Sequence, residues 1–433
     1  MDFMYNKKVE TLPRKRIKEL QIKQLKETVK NVYENVPFYK KKFKELKITP
    51  NDIKTLDDIK KLPLTTKDDL RHNAPFGMLS TSLDNCIELH ASSGTTGTPV
   101  TVCYTINDIE VWSEVMARCL SMSGLTKKDV FQNPIPYGTF TGAFGFHYGA
   151  HKVGALVLPT GMGQSERQIK LMDYYGTTFV SSVASYMMRL SQVAEEMGID
   201  PKKLKIRNGL FGAEIFSSGM KKRIKEIWDI DTHDIYGLTE MCGPGVSADC
   251  DQHNGLHLWE DHFLLECLDP VTLEPVGVEE QGEIVLTTLT KQGMPLLRYR
   301  TRDISKLYDE KTCECGRTHI KHSPIKGRSD DMLIIRGTNI YPGQIESVLM
   351  KKEEIGGNWR MILKTENDID MLTVEVESKN MLSQVESIDL EKQLREEIKS
   401  VIVFTPRVTV MPPNSIPQSG LKAKRVIDNR KKV

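Results

Sequence analysis

Eight consecutive residues, Ser92-Ser93-Gly94-Thr95-Thr96-Gly97-Thr98-Pro99, carry the clearest chemical signal in the chain. Such a loop suits a polyphosphate. Glycine lets the backbone come close and take φ > 0, turned N–H groups form an anion nest, and Ser and Thr hydroxyls add donors. The G-x-x-x-x-G-K-[ST] spacing of the P-loop is absent. Taken alone, the stretch could equally be a Ser/Thr/Gly surface turn.

A second set could bind metal. Cys313-Glu314-Cys315 is a C-x-C turn, and Cys250-Asp251-Gln252-His253-Asn254-Gly255-Leu256-His257 lies upstream. Two thiolates from one turn, with Cys250 and His257 from the other, complete a tetrahedral zinc shell; His253 is an alternative ligand. The role would be structural. C-x-C is not the common C-x2-C knuckle, so free, reduced cysteines are the competing reading. Cys86, Cys103, Cys119, Cys242 and Cys267 are scattered and read as small core hydrophobes.

Four further segments give the first loop a context. They are Tyr236-Gly237-Leu238-Thr239-Glu240, Tyr299-Arg300-Thr301-Arg302-Asp303, Gly327-Arg328-Ser329-Asp330-Asp331 running on to Gly337, and Gly420-Leu421-Lys422. In this order the set resembles the acyl-adenylate-forming superfamily of acyl-CoA synthetases, adenylation domains and luciferases. Tyr137-Gly138-Thr139-Phe140-Thr141-Gly142, Phe146-His147-Tyr148-Gly149-Ala150, Gly255-Leu256-His257, Met294-Pro295-Leu296 and Asp330–Gly337 bring it nearest the phenylacetate–CoA ligase branch.

The resemblance implies two half-reactions. A carboxylate attacks the α-phosphorus of ATP to give an acyl-adenylate and diphosphate. The thiol of coenzyme A then displaces AMP. Phosphoryl transfer of this kind needs mainly positioning and charge stabilisation.

Roles follow for matching residues. Ser92, Ser93, Gly94, Thr95, Thr96 and Gly97 cradle the β- and γ-phosphates. Glu240 helps hold Mg2+, a hard cation that takes oxygen ligands. Asp303 accepts from the ribose hydroxyls. Tyr236, Gly237 and Gly212-Ala213-Glu214 sandwich and edge the adenine. Arg328 reaches phosphate or ribose, or forms a hinge salt bridge. Lys422 bridges carboxylate and α-phosphate, a task for a mobile point charge. The family places glycine directly before this lysine, whereas Leu421 intervenes here, so Lys424 is a rival. Tyr137, Phe140 and Phe144 line the acyl pocket, with core packing the alternative for some of the crowded aromatics that include Phe146; His147 is a pocket or core histidine. Gly337 faces the pantetheine channel, and Asp330 is the hinge. The acid is an arylacetate such as phenylacetate or indoleacetate. A benzoate-type or deazaflavin-cofactor adenylating enzyme, and a non-catalytic nucleotide sensor, are the alternatives.

These groups need a scaffold. The 433 residues suffice for two or three domains. Ile17, Leu20, Ile22, Leu25, Val29 and Val32 recur at helical spacing within 14–47, and Pro37 breaks the pattern. Ala155–Pro159 and Thr178–Val180 read as buried strands, and Ser165–Tyr175 and Ser185–Met197 as helices. This alternation predicts a parallel α/β sheet. Ile284–Leu289 suits a strand of a β-rich layer. Met371–Glu377 and Val408–Val410 as strands, with Ile388–Val401 as a helix, predict a small α+β domain. The expected fold is α/β: a large domain over 1–327, with parallel α/β sheets plus a β-rich layer, and a small mobile α+β domain over 328–433.

Composition sets the outer bounds. Sixty basic residues against 58 acidic ones give no support for nucleic acid as a partner. The lysine-dense stretches Lys7–Lys47 and Lys422–Lys432 read as a solvated helical face and a basic tail. No run of 18 apolar residues occurs, and Met1–Lys8 lacks a signal-peptide core, so neither a membrane partner nor a leader is expected. A cytoplasmic protein with reduced or metal-bound cysteines is the expectation. Its partners would be the carboxylic acid, ATP and coenzyme A. A homodimer is compatible with the sequence.

Overall fold

A computed structural model describes residues 3–92, 99–330, 333–335, 338–366, 369–402, 404–417 and 425–430. By internal contacts the chain divides into two units, one of 1–182, 204–213 and 231–324, the other of 183–203, 214–230 and 325–433.

The first unit is built on one mixed sheet. Its strand order is Lys321–His322, Leu256–Leu258, Gly243–Asp249, Asp231–Leu238, Asn208–Gly212, Phe179–Ser182, Val130–Gln132 and Leu156–Leu158. The five strands from Asp231–Leu238 to the Leu156 edge run parallel. The three on the other side are antiparallel. Phe179–Ser182 is buried along its length, as an interior strand flanked on both sides must be. Leu156–Leu158 departs from the buried strand expected there, because it is the sheet edge and Leu156 is 66% exposed. A second, antiparallel layer runs through Phe263–Leu268, Gln281–Thr288 and Tyr299–Lys306.

The helices follow local rules. The predicted 14–47 helix is two helices, Arg14–Asn35 and Pro37–Leu46. Proline has no N–H to continue the first but suits the opening turn of the second. Ile106–Met122 starts at Thr105, whose hydroxyl accepts from Asp108 N while Asp108 returns to Thr105 N, a reciprocal cap. This helix packs against Gly142–Val153. A Cβ at Gly149 would sit 2.5 Å from Met116 Cβ, so a larger residue would force the pair apart.

In the second unit Ile355–Glu366 and Ile369–Ser378 form an antiparallel hairpin. Arg407–Met411 and Val426–Asp428 add in parallel on its two sides. Gln384–Ile402 buries Leu390, Leu394, Ile398 and Ile402, one face at i, i+4 spacing. Among the described residues no helix is long and apolar enough to cross a membrane.

Candidate active site

The strand Asp231–Leu238 carries Tyr236 and Gly237 near its end, and the antiparallel layer supplies Asp303. The Tyr236 hydroxyl donates to Asp303 Oδ2 at 2.6 Å, a short charge-assisted bond. Thus the two residues assigned to adenine and ribose meet, although 67 positions separate them. Behind the tyrosine, His322 stands edge-on at 5.7 Å. Burial pushes the pKa of His322 down to about 4, so the neutral ring can accept from the Ser247 hydroxyl at 2.7 Å. Gly237 is required sterically. A Cβ there would lie 2.1 Å from Gly243 O and 2.7 Å from Pro244 Cα.

Glu240 follows in a tight turn. Its side chain is buried, and among the described residues Oε1 takes no hydrogen bond; Lys67 Nζ lies 3.3 Å from it. A buried carboxylate oxygen with spare lone pairs fits a magnesium ligand. Two side chains pin the backbone around it through three hydrogen bonds. Tyr104 donates to Thr239 O at 3.0 Å, and Lys291 Nζ donates to Glu240 O at 2.8 Å and Met241 O at 2.6 Å. Lys291 also sits 4.8 Å over the Tyr104 ring.

Burial lowers the Lys291 pKa to about 8 from 10.5, against the opposing pull of Asp108. The unfolded chain therefore binds this proton more readily between those two values, and the contribution of Lys291 to stability rises with pH across that window. Lys291→Met removes the ammonium and leaves two carbonyls without their donor, at about 1–3 kcal/mol each. The expected result is a chain less stable by about that amount in denaturant titration. In denaturant titrations at pH 7.5 and 9.5, only the unsubstituted chain should gain the Lys291 increment.

The aromatic residues divide. Phe146 is core, 3% exposed and beside Phe131 at 6.5 Å. Tyr137, Phe140 and Phe144 are half-buried. Phe144 meets Tyr137 edge-on at 5.4 Å and His90 at 5.3 Å. The Tyr137 hydroxyl accepts from Asn133 at 2.9 Å and meets His147 Nδ1 at 3.0 Å. Burial, aided by His151, lowers the His147 pKa, which favours the neutral ring. Glu88, His90 and Tyr148 were not anticipated. His90 Nε2 lies 2.5 Å from Glu88 Oε1, and the Tyr148 hydroxyl donates to Glu88 Oε2 at 2.6 Å. Their signal was two polar residues at same-face spacing on Cys86–Ala91, the strand entering the phosphate loop. That strand pairs with Thr101–Thr105, and Ser92 exchanges bonds with Val100 at the loop base. Ser93, Gly94, Thr95, Thr96, Gly97, Gly337, Lys422 and Lys424 lie outside the described residues.

Gly212 lets two strands meet closely, since a Cβ would lie 2.4 Å from Ile235 O. Ala213 then turns with φ 68°. The Glu214 carboxylate accepts from Ser185 N at 2.5 Å and from the Ser185 hydroxyl at 2.9 Å, an acid at the first turn of Ala184–Glu196. Arg328 forks onto Asp330 through two 2.9 Å bonds. Both side chains are more than a third exposed, so the pair adds little stability. This is the salt-bridge option for Arg328.

The sulfur and imidazole ligands converge. Ligand atoms of Cys250, His257, Cys313 and Cys315 all lie within 4.8 Å of one another. Cys250 Sγ is 3.9 Å from Cys313 Sγ, and Cys315 Sγ is 3.5 Å from His257 Nε2. His257 Nδ1 faces His319 O at 3.3 Å, which aims Nε2 at the sulfurs. Contacts from Cys250 and then Cys315 hold the Cys313 thiol far below its ordinary pKa, and the same contact with Cys313 pushes Cys250 up. Three crowded thiols cannot all ionise unless a cation joins them. His253 is not with this group. Its backbone takes φ 48°, and its ring points to Asp231 and Asp249, so the alternative-ligand reading is corrected.

Comparison with known proteins gives this geometry its context. The AMP-binding enzyme model matches residues 12–290, and the AMP-binding enzyme C-terminal domain model matches 337–430. The phenylacetate–coenzyme A ligase of Thermus thermophilus is 40% identical over 99% of this chain and 100% of its own length. That of Escherichia coli is 39% identical over 98% and 97%. Among solved structures, 2-hydroxyisobutyryl-CoA ligase in the postadenylation state with R3-HIB-AMP superimposes with a TM-score of 0.91. It is 26% identical, over 98% of this chain and 91% of that one. The chain belongs to the AMP-binding enzyme family, in its phenylacetate–CoA ligase branch, and is an AMP-forming acid–coenzyme A ligase.

Proposed function

We propose that the acid is phenylacetate or a close arylacetate, activated as its adenylate and passed to coenzyme A. What supports the acid is a ring cluster in which the half-buried Tyr137 and Phe144 pack with the buried His90: edges of this kind suit an aromatic substrate. The relatives' names agree with it. Mg2+ would be held in part by Glu240 and would neutralise charge on the phosphates. Asp303 would take the ribose hydroxyls and Tyr236 the adenine face. Ser92–Gly97 would hold the outer phosphates, Lys422 would bring acid and α-phosphate together, and Gly337 would leave room for the pantetheine arm. Residues 1–327 would form the adenylating domain and 328–433 a mobile domain hinged at Asp330.

The test is diphosphate release across aryl and aliphatic acids, with and without coenzyme A. Arylacetates should give the highest kcat/KM and the acyl-CoA product. Preference for benzoates or aliphatic acids by tenfold or more would overturn the arylacetate assignment.

Cys250, His257, Cys313 and Cys315 would form a closed structural zinc site. The donor set fits, with three sulfurs and an imidazole largely buried. Such a site contributes folding energy, so chelation should lower Tm. Cys313→Ser should carry one zinc fewer per chain than the unsubstituted protein. Its activity should fall only in step with stability, at an unchanged KM for ATP. Equal zinc content in both proteins would remove this site.

A further inference from the structure

A second group of side chains with ligand atoms close together lies on the hairpin that carries Tyr236, and neither half-reaction uses it. Asp231 opens the strand Asp231–Leu238, and Asp249 closes its antiparallel neighbour Gly243–Asp249. His233 projects from the first strand, and His253 from the turn after the second. Asp249 faces both rings from the inside. Its Oδ1 is 3.4 Å from His233 Nδ1, and its Oδ2 is 3.4 Å from His253 Nδ1. Both Nε2 atoms turn the other way, onto Asp231. His233 Nε2 is 3.3 Å from Oδ2, and His253 Nε2 is 3.2 Å from Oδ1.

This pattern has a chemical logic. A carboxylate on Nδ1, as Asp249 supplies to His253, favours the tautomer that presents Nε2 as a metal ligand. The separations also fit. Zinc–nitrogen and zinc–oxygen bonds of about 2.0–2.2 Å place tetrahedral ligand atoms roughly 3.3–3.6 Å apart. The ligand atoms of Asp231, His233 and His253 lie within 4.8 Å of one another. Burial supplies a wall and a door. His233 and Asp249 are each 2% exposed at the side chain, and Asp231 and His253 each 36%. His233 Nδ1 is buried and, among the described residues, has no partner at hydrogen-bond geometry. The rings are 4.9 Å apart and tilted by 41°.

We propose that Asp231, His233 and His253 bind a zinc-class divalent ion through Asp231 oxygen and the two Nε2 atoms, with Asp249 facing both Nδ1 atoms and holding the His253 ring. Imidazole with one carboxylate selects zinc, cobalt or nickel over magnesium or calcium. The fourth position opens to solvent. The ion would tie the Asp251–Asn254 turn to the first residue of the Tyr236 strand. It is separate from the thiolate cluster, although Cys250 joins the two along the chain. The proposal does not rest on the ligase reading.

Native mass spectrometry and cobalt titration of the full-length chain test it, starting from metal-free protein at pH 7.5. Cys313→Ser supplies a background without the thiolate set. In that background the chain should bind one Co2+ or Zn2+, with d–d absorption and no thiolate charge-transfer band. Adding His253→Ala, or independently Asp231→Asn, should weaken this ion at least tenfold. The two separate substitutions guard against a folding defect in either, which circular dichroism would reveal. No ion bound in the Cys313→Ser background, or equal binding with and without His253→Ala and Asp231→Asn, would overturn the proposal.

Discussion

Lys422→Ala should abolish adenylation of the acid while sparing the second half-reaction. The carboxylate and the α-phosphate are both anionic, and adenylation draws them together. A single ammonium between them offsets their repulsion where charge is greatest, in the transition state. Removing one such electrostatic group typically costs about 10²–10³ in kcat. Thioester formation begins from an adenylate whose carboxylate charge is already gone, so it needs no such bridge. Given preformed acyl-adenylate and coenzyme A, the variant should therefore make acyl-CoA at nearly the normal rate. Quenched-flow assay of each half-reaction reads the split. If Lys424→Ala shows it instead, the role belongs two residues on, across the Leu421 irregularity. Equal loss of both half-reactions would count against a dedicated adenylation lysine.

Asp303→Ala should produce the other large effect, on ATP. The carboxylate is 9% exposed and already fixed by the Tyr236 hydroxyl. In the proposed function this carboxylate would also accept from the ribose hydroxyls. Hydrogen bonds to a charged group contribute about 1.5–3 kcal/mol each. Loss of two should lower kcat/KM for ATP by roughly 10²–10⁴, at tenfold per 1.4 kcal/mol. The alanine variant also strips Tyr236 of its acceptor. Asp303→Asn keeps an acceptor for that hydroxyl but loses the charge, and should fall between. A folded alanine variant within tenfold of the unsubstituted enzyme would remove Asp303 from the nucleotide site.

Much of this was legible in the sequence because the chemistry is local. Tyr236, Gly237 and Glu240 lie within five residues, and the types at the first two are constrained by the contacts they make. The Gly237 contact at 2.1 Å shows how little choice the turn allows. The zinc candidates were legible because few residue types bind zinc. Support groups were harder to see. Lys291 reads as an ordinary surface lysine until Tyr104 and the 240–241 carbonyls are found around it. Glu88, His90 and Tyr148 join through tertiary contacts across as many as 60 residues. The same limit applies to strands. Leu156–Leu158 has a buried strand's composition and an edge strand's exposure, and only sheet order distinguishes them. His253, the alternative ligand, drops out for a related reason. Sequence proximity to Cys250 suggested one site, whereas φ 48° at His253 sends its ring to Asp231.

The central claim is that phenylacetate is activated as an enzyme-bound adenylate. Isotope exchange between diphosphate and ATP, run with Mg2+ and without coenzyme A, tests it most directly, because only a reversible adenylation returns label to ATP. The account predicts rapid exchange that requires phenylacetate, collapses in Lys422→Ala, and gives way to phenylacetyl-CoA and AMP when coenzyme A is added. Absence of phenylacetate-dependent exchange, or formation of ADP and phosphate in place of AMP and diphosphate, would contradict it.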